Sequence, residues 1–287
     1  MKTILKNPGC WLALLASVLV MTGCSATKTA KTVDPGLKYK LSGSSNFSYT
    51  LNAEVTQSID VGGQDVGATI LSSTGFTLTP GQAAAGVIPL KVTIDTVGIT
   101  IQSPQGNLVE TKSELKGRQF NMTISEFGKE DNLDEAEEIK YMVAGQQESN
   151  LKGTFVMLFP DLPEITYKEG TSWTDNDTID ISTSSDNAMM IMQSENIFAG
   201  TEEFEGYHCV RINSRIKGER TSVSNTPQGQ ITTDGALEGE SSFLFVPDQG
   251  ILVWAESNVT MKGYVSVPTG DSYPLQVITK YVTKLVK

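Results

Sequence analysis

Residues 47–56, Phe-Ser-Tyr-Thr-Leu-Asn-Ala-Glu-Val-Thr, carry the clearest structural pattern in the chain. Apolar side chains occupy the odd positions and polar side chains the even positions. This period of two is typical of a strand with one buried side and one solvent-facing side. Gly62-Gly63 ends the run, since paired glycines favour turns. The stretch therefore predicts a half-buried strand in a sheet.

Similar alternation continues on both sides of a break in phase. Leu90, Val92 and Ile94 are even-numbered, whereas residues 97, 99 and 101 are the apolar odd-numbered ones. One straight strand would turn its apolar side over midway, so we expect a β-bulge or a tight turn near Asp95-Thr96. Further strands are predicted at 120–124, 171–174, 178–182, 188–193, 207–216, 241–246, 251–257, 259–267 and 275–286, with a tight turn at 247–250.

The period changes between residues 130 and 160. Leu133, Ala136, Ile139 and Val143 fall on one helical face, with Asp131 as a candidate N-cap. A second helical run covers 151–159 and stops at a proline.

Two β-rich halves, 37–128 and 165–287, thus flank a helical connector at 130–160 within a β-rich domain spanning 37–287. This order predicts an α+β protein, mainly antiparallel, with a curved sheet or half-barrel and short helices between the halves. Residues 188–192 and 251–254 are apolar at successive positions. We expect both sides of these strands to be covered.

Residues 1–23 have the three parts of a bacterial export signal: lysines at positions 2 and 6, an apolar run and small residues at the end. The apolar run is about half of the roughly 20 residues that a membrane-spanning helix needs. The last residues of the signal and the next one, Met-Thr-Gly-Cys at 21–24, resemble the lipobox of bacterial lipoproteins. The resemblance implies cleavage after Gly23 and lipid attachment at Cys24. The alternative is an ordinary secretory signal with an incidental cysteine.

Residues 24–36 are polar, without an apolar period, and are interpreted as a lipidated tether. By analogy with the enterobacterial sorting rule, Ser25 after the cysteine implies a lipid-anchored protein of the outer membrane. Signal removal takes away two lysines and leaves 20 basic against 33 acidic residues, a net charge of −13. Nucleic acid is therefore a poor partner.

The residues for several kinds of chemistry are missing or misplaced. The single histidine, His208, neighbours Cys209, and adjacent residues on a strand point to opposite sides. We expect Cys209 to be a buried, inert thiol. Clusters of His and Cys for zinc are absent, and so are glycine-rich phosphate loops. The acids of residues 175–180 match a calcium loop poorly and are interpreted as a solvated turn.

These observations predict no catalytic residue, metal site or cofactor, and a protein that is not an enzyme. A pair of glycosidase carboxylates stays open, because the separation of two carboxylates depends on the fold. The mature chain has two tryptophans, Trp173 and Trp254. Both are candidates for an apolar ligand face, although aromatic residues in strands more often belong to the core.

Four segments are similar to uncharacterised bacterial envelope lipoproteins: 159–164 (FPDLPE), 170–174 (GTSWT), 205–212 (EGYHCVRI) and 243–253 (FLFVPDQGILV). The resemblance implies a curved antiparallel sheet like that of the lipoprotein carriers LolA and LolB. The sequence therefore favours a membrane-anchored lipoprotein that binds a hydrophobic ligand or lipid under the connector helices. The alternative is a structural or assembly subunit that binds a protein partner in the envelope.

Overall fold

One antiparallel sheet contains most of the chain in the computed structural model, which describes residues 36–41, 45–145, 147–166, 168–182, 186–226 and 228–286. Strands account for 69% of the described residues, so the protein is nearly all β rather than α+β. The predicted signal, Gly23, Cys24 and the tether up to residue 35 lie outside the described residues. None of the described helices has the length and apolar character needed to cross a membrane.

The described strands are β1 (Phe47–Asp60), β2 (Asp65–Pro80), β3 (Val87–Ser103), β4 (Gly106–Thr111), β5 (Gln119–Ser125), β6 (Glu130–Asp131), β7 (Lys140–Val143), β8 (Gln147–Asn150), β9 (Ser172–Asp180), β10 (Asp186–Phe204), β11 (Tyr207–Thr226), β12 (Gly229–Val246), β13 (Ile251–Ser266) and β14 (Ser272–Val286). A 3₁₀ turn spans Ser113–Leu115, and the helices are α1 (Asp134–Glu138) and α2 (Lys152–Phe155).

The strand order in the large curved sheet is β6-β5-β3-β2-β1-β14-β13-β12-β11-β10-β9, with β4 beside β3. Neighbours in this order are mostly consecutive in sequence. Strand β5 pairs with β3 rather than β4, and β1 pairs with the distant β14 from Ser48↔Val286 to Ile59↔Leu275. The two predicted β-rich halves are thus joined edge to edge. We call the side of the sheet that carries Leu51 and Val55 the inner face, because both are buried there, and the opposite side the outer face.

The predicted break in phase within β3 is confirmed as a bulge. Thr96 pairs with Gly75 and Ile94 with Phe76, which leaves Asp95 as the extra residue. The bulge returns the apolar side chains to the inner face, so both Ile94 and Val97 are buried. The predicted turn at 247–250 is also present, where Gly250 N donates to Val246 O at 2.8 Å.

Two helices lie within residues 130–160, but they are much shorter than the helical connector predicted there. Helix α1 ends before Ile139, which is extended, and β7 and β8 pair as an antiparallel hairpin. Ala144 and Gly145 supply positive φ angles of 54° and 65° for its turn. Residues 139–143 satisfy both a helical and a strand period, because Tyr141 and Val143 also alternate with exposed residues.

A buried aromatic cluster fills the inner side of the sheet near the connector. Its members are at most 2% exposed and comprise Tyr39, Tyr49, Phe76, Phe120, Phe155, Phe159 and Phe245. The Phe155 ring contacts Phe120 and Phe76 edge-on, at centroid distances of 4.9 and 5.0 Å. The Tyr39 ring meets Phe245 and Phe159 in the same way, at 5.1 and 5.3 Å.

A short N-terminal strap, residues 37–41, crosses this cluster, and its Leu37, Tyr39 and Leu41 are buried. Its backbone is held from two sides. Tyr39 N donates to Glu126 O at 2.8 Å, and Lys40 N donates to Gly250 O at 2.9 Å. The strap therefore connects the β5–β6 turn with the β12–β13 turn.

Gly250 permits the strap to approach closely. A Cβ at this position would lie 2.5 Å from Lys40 Cβ and nearer still to Lys40 N. Gly250→Ala is expected to lower the free energy of unfolding by about 1–3 kcal/mol more than Gly62→Ala, measured by chemical denaturation of protein lacking residues 1–24. Gly62 is the matched control because its φ of 66° equals that of Gly250 within a degree, while a Cβ there meets nothing within 4 Å. Equal losses in the two variants would show that the strap does not depend on this contact.

Candidate functional site

A depression of about 850 Å³ lies on the outer face across strands β10 to β13, with Ser172 of β9 at its rim. Its size falls within the roughly 300–1,000 Å³ of small-molecule sites. The side chains that line it from the outer face are Ser172, Glu195, Ile197, Arg211, Asn213, Arg215, Glu240, Ser242, Trp254, Glu256 and Asn258.

Strand register explains how these residues come together. Glu195, Arg215, Glu240 and Asn258 are direct cross-strand partners and form one row over β10, β11, β12 and β13. Because alternate residues of a strand share a side, the next row repeats on the same face with Ile197, Asn213, Ser242 and Glu256. These two rows are thus assembled from four separate segments of sequence, and Ser172 of β9 adds a fifth segment to the depression.

The wall beside the indole of Trp254 is fixed by a chain of hydrogen bonds. Arg211 donates to both carboxylate oxygens of Glu202, at 2.6 and 2.7 Å, and to Ser242 Oγ at 2.7 Å. Ser242 Oγ in turn donates to Asn213 Oδ1 at 2.8 Å. The Arg211 guanidinium lies 5.7 Å from the centroid of the Trp254 ring, within cation–π range. Arg211 is thereby held in one position and its charge is balanced by Glu202.

Four polar side chains in the depression have no partner among the residues that the structure describes. The side chains of Arg215, Glu240, Glu256 and Asn258 make no hydrogen bond or ion pair there. With Glu195, the depression holds three carboxylates against the one guanidinium that is not already paired. It therefore offers both donors and acceptors to a ligand, with a local excess of negative charge.

The two predicted tryptophans lie on opposite faces of the sheet. Trp254 lines the depression, whereas Trp173 pairs with Asn196 on the inner face and packs against Phe198 at 4.9 Å. The Trp173 indole donates to Asp175 Oδ2 at 2.9 Å. The structure does not bring the two indoles onto one ligand face, and the role of each stays a prediction.

The apolar space expected under the connector helices is occupied by the aromatic cluster, with Phe155 and Phe159 at its centre. The expectation that residues 188–192 are covered on both sides is wrong, because Met189 and Ile191 are 47% and 56% exposed on the outer face. Residues 251–253 are buried at every position, as expected.

The remaining candidates for chemistry, His208 and Cys209, are neighbours on β11, but only the cysteine is buried. Cys209 is buried, and burial raises the pKa of its thiol to about 11, which keeps the thiol protonated at neutral pH. His208 is exposed and its Nδ1 lies 3.0 Å from Glu203 Oε1. Among the described residues, no group of His, Cys, Asp or Glu has the arrangement to hold a metal ion.

The interpretation of the acids at 175–180 as a solvated turn is wrong, because β9 runs through them and Asp175 is only 2% exposed. Asn196 Nδ2 donates to Asp175 Oδ2 at 2.8 Å. The pKa of Asp175 is raised to about 7, mainly by burial, against the lowering effect of the Trp173 hydrogen bond. The alternation Trp173, Asp175, Asp177, Ile179 on the inner face could have suggested one continuous strand.

A second buried carboxyl, that of Asp161, lies near Asp175 and Asp177 of β9. Burial, followed by the negative charges of Asp177 and Asp175, raises its pKa to about 9. Burial also raises the pKa of Glu130, whose Oε1 accepts a hydrogen bond from Phe159 N at 2.7 Å. Sequence reasoning missed both groups, because a lone acid between prolines or at a strand end normally indicates solvent exposure.

Comparison with known proteins identifies no family for this chain. No protein-family profile matches it, and no curated protein matches it either. A candidate exported protein with a YMCC-like fold from Bacteroides fragilis is 10% identical, with a TM-score of 0.28 over 88% of this chain and 100% of that one. A DUF1329 family protein from Desulfovibrio piger is 10% identical, with a TM-score of 0.17 over 83% and 85%.

The third structure, a complex of Salmonella typhi OmpF with daunomycin, is 7% identical, with a TM-score of 0.21 over 82% of this chain and 97% of that one. All three TM-scores lie below 0.5, so these likenesses carry no argument about the fold or activity of this chain.

The raised carboxyl pKa values predict a stability that falls as pH rises. Asp161 ionises near pH 4 in the unfolded chain but only near pH 9 in the fold, so the folded state holds an extra proton between these values. The contribution of this proton to the free energy of unfolding is fully present below pH 4. It is lost as the pH rises to 9, at up to about 1.4 kcal/mol per pH unit.

Asp161→Asn removes the titrating group, so the free energy of unfolding of the variant is expected to fall less between pH 5 and pH 8 than that of the wild type. Urea denaturation at both pH values measures the difference. The matched control is Asp234→Asn, since Asp234 is exposed on β12. Parallel pH dependence of wild type and Asp161→Asn would contradict the assignment.

Proposed function

We propose that the chain is a lipid-anchored protein of the bacterial cell envelope that binds a polar partner molecule in the depression around Trp254. The anchor is the acylated Cys24, after cleavage at Gly23, and Ser25 favours the outer membrane. Residues 25–36 would reach about 40 Å when extended, which leaves the sheet free to stand clear of lipid head groups.

The depression is the observation that supports binding. It combines an indole with polar side chains that have no partner in the described part of the chain, notably Arg215 and Glu240. Partly exposed Trp and Arg side chains in a concave surface are frequent anchors of recognition. The aromatic cluster fills the space in which a hydrophobic ligand was expected, so the outer face supports binding better than the interior does.

A second candidate is the assembly subunit that binds a protein through a sheet edge. The observation favouring it is the exposed pair Met189 and Ile191, which lie on β10 next to β9. Within the described residues, β9 pairs on one side only, with β10. A free strand edge can accept a further strand, although the acids of β9 oppose this.

The anchor predicts acylation at a single residue. Cells expressing the protein are expected to incorporate labelled palmitate into the wild type but not into Cys24→Ser, measured by gel fluorography of the purified protein. Cys10→Ser is the matched control, because Cys10 lies inside the predicted signal and its loss should leave labelling unchanged. Label that persists in Cys24→Ser, or that is absent from the wild type, would exclude this anchor.

The depression predicts where a partner is captured. Benzoylphenylalanine in place of Asn258 is expected to give an ultraviolet-dependent adduct in intact cells, detected by a mobility shift and mass spectrometry. The same residue in place of Ile191 tests the sheet edge. Adducts at 191 with none at 258 would support the second candidate, and a 258 adduct that survives Trp254→Ala with Arg215→Gln would contradict binding in the depression.

A further inference from the structure

We infer that the ligand of the Trp254 depression is an uncharged oligosaccharide, an inference that rests on the proposed binding function. A sugar ring has an apolar face of C–H groups and a rim of hydroxyls that both donate and accept hydrogen bonds. An indole beside unpaired carboxylate, amide and guanidinium groups complements both features. Arg215, Glu240 and Asn258 form one row of the sheet, and Trp254 lies two rows further along the same face, with Glu256 in the row between. Four residues of strand separate Trp254 from Asn258, about 13 Å, so a ligand that contacts both must be longer than one sugar ring.

The charges of the depression select against an anionic ligand. Arg211 is neutralised by its two hydrogen bonds to Glu202. Arg215 then faces Glu195 and Glu240 as direct cross-strand neighbours, with Glu256 two residues further along. A phosphate or uronate group would meet this negative excess, and the acidic chain as a whole adds to the repulsion. A neutral polyol meets no such penalty.

The position of the depression within the sheet disfavours an extended peptide. Strands β10, β11, β12 and β13 are each paired on both sides, so their backbone groups are already hydrogen-bonded. A peptide therefore cannot bind here by strand addition, which needs a free edge. A ligand of this face must be recognised by side chains, as a sugar is.

The wall of the depression is organised before a ligand arrives. The hydrogen-bond chain from Glu202 through Arg211 and Ser242 to Asn213 fixes the groups next to the indole. Fixed polar groups lose little side-chain entropy on binding, which favours a weakly binding, hydroxyl-rich ligand.

The test uses purified protein lacking residues 1–24 and four neutral tetrasaccharides: chitotetraose, cellotetraose, maltotetraose and mannotetraose. We expect at least one to bind with a Kd of roughly 10 µM to 1 mM, measured by calorimetry and by a change in tryptophan fluorescence. Trp254→Ala is expected to weaken binding at least about tenfold, and Glu240→Gln about threefold or more. Trp173→Phe is the matched control, because its indole lies on the inner face, and it should bind normally.

Two further probes separate the possible failures. Tetragalacturonate should not bind, and a lysine-rich peptide tests the alternative of a basic partner. No binding by any of the four neutral tetrasaccharides, or binding that Trp254→Ala leaves unchanged, would overturn the inference. If a protease-sensitive adduct still forms at position 258 in cells, the proposed binding function stands and only the saccharide class is lost. If no tetrasaccharide binds and no adduct forms at position 258, both the proposed binding function and the saccharide inference are wrong.

Discussion

The contact of Tyr39 with Phe159 and Phe245 holds together three distant parts of the chain: the N-terminal strap, the connector and the end of β12. Edge-on aromatic pairs contribute about 0.5–1.5 kcal/mol each beyond the burial of their surface. The Tyr39 hydroxyl also donates to Pro160 O at 2.8 Å, so the buried oxygen is satisfied. The strap and the connector thus cover one end of the inner face, and the interior there is filled rather than open to a ligand.

Filling the interior leaves the outer face as the place for recognition. The row of Glu195, Arg215, Glu240 and Asn258 contributes nothing to the buried core, and its polar groups can therefore be chosen for a ligand without loss of packing. The backbone beneath this row is nevertheless rigid, because each of its strands, β10 to β13, has two neighbours. The inner face consequently provides the stability of the sheet, and the outer face is available for binding.

Much of the sheet was predictable because alternation is a local property. The period of residues 47–56 and the change of phase at Asp95 both indicate which side of the strand is buried. The first connector helix is shorter than predicted because residues 139–143 fit both a helical and a strand period. The turn at Ala144 and Gly145 favours the strand. The exposure of Met189 and Ile191 depends on what covers the outer face, which no local pattern contains.

The depression could not have been predicted in the same way. Its rows require the relative register of β10 to β13, and register is set by turns and bulges spread over more than 60 residues. Trp254 faces outward in phase with Glu256 and Asn258, but which residues of β10 to β12 stand beside it follows only from the pairing of the strands. The place of Trp173 on the inner face likewise follows from strand pairing, because it stands opposite Asn196.

The pairing of β1 with β14 has a consequence for biosynthesis. The first long strand acquires its second neighbour only when residues 275–286 have been made, so the middle of the sheet is the last ladder that a growing polypeptide can complete. Contacts between such distant residues are slow to form. A prematurely terminated product lacking β14 would expose unpaired edges on both β1 and β13. Such a product would be prone to aggregate, so folding of the sheet depends on the synthesis of β14.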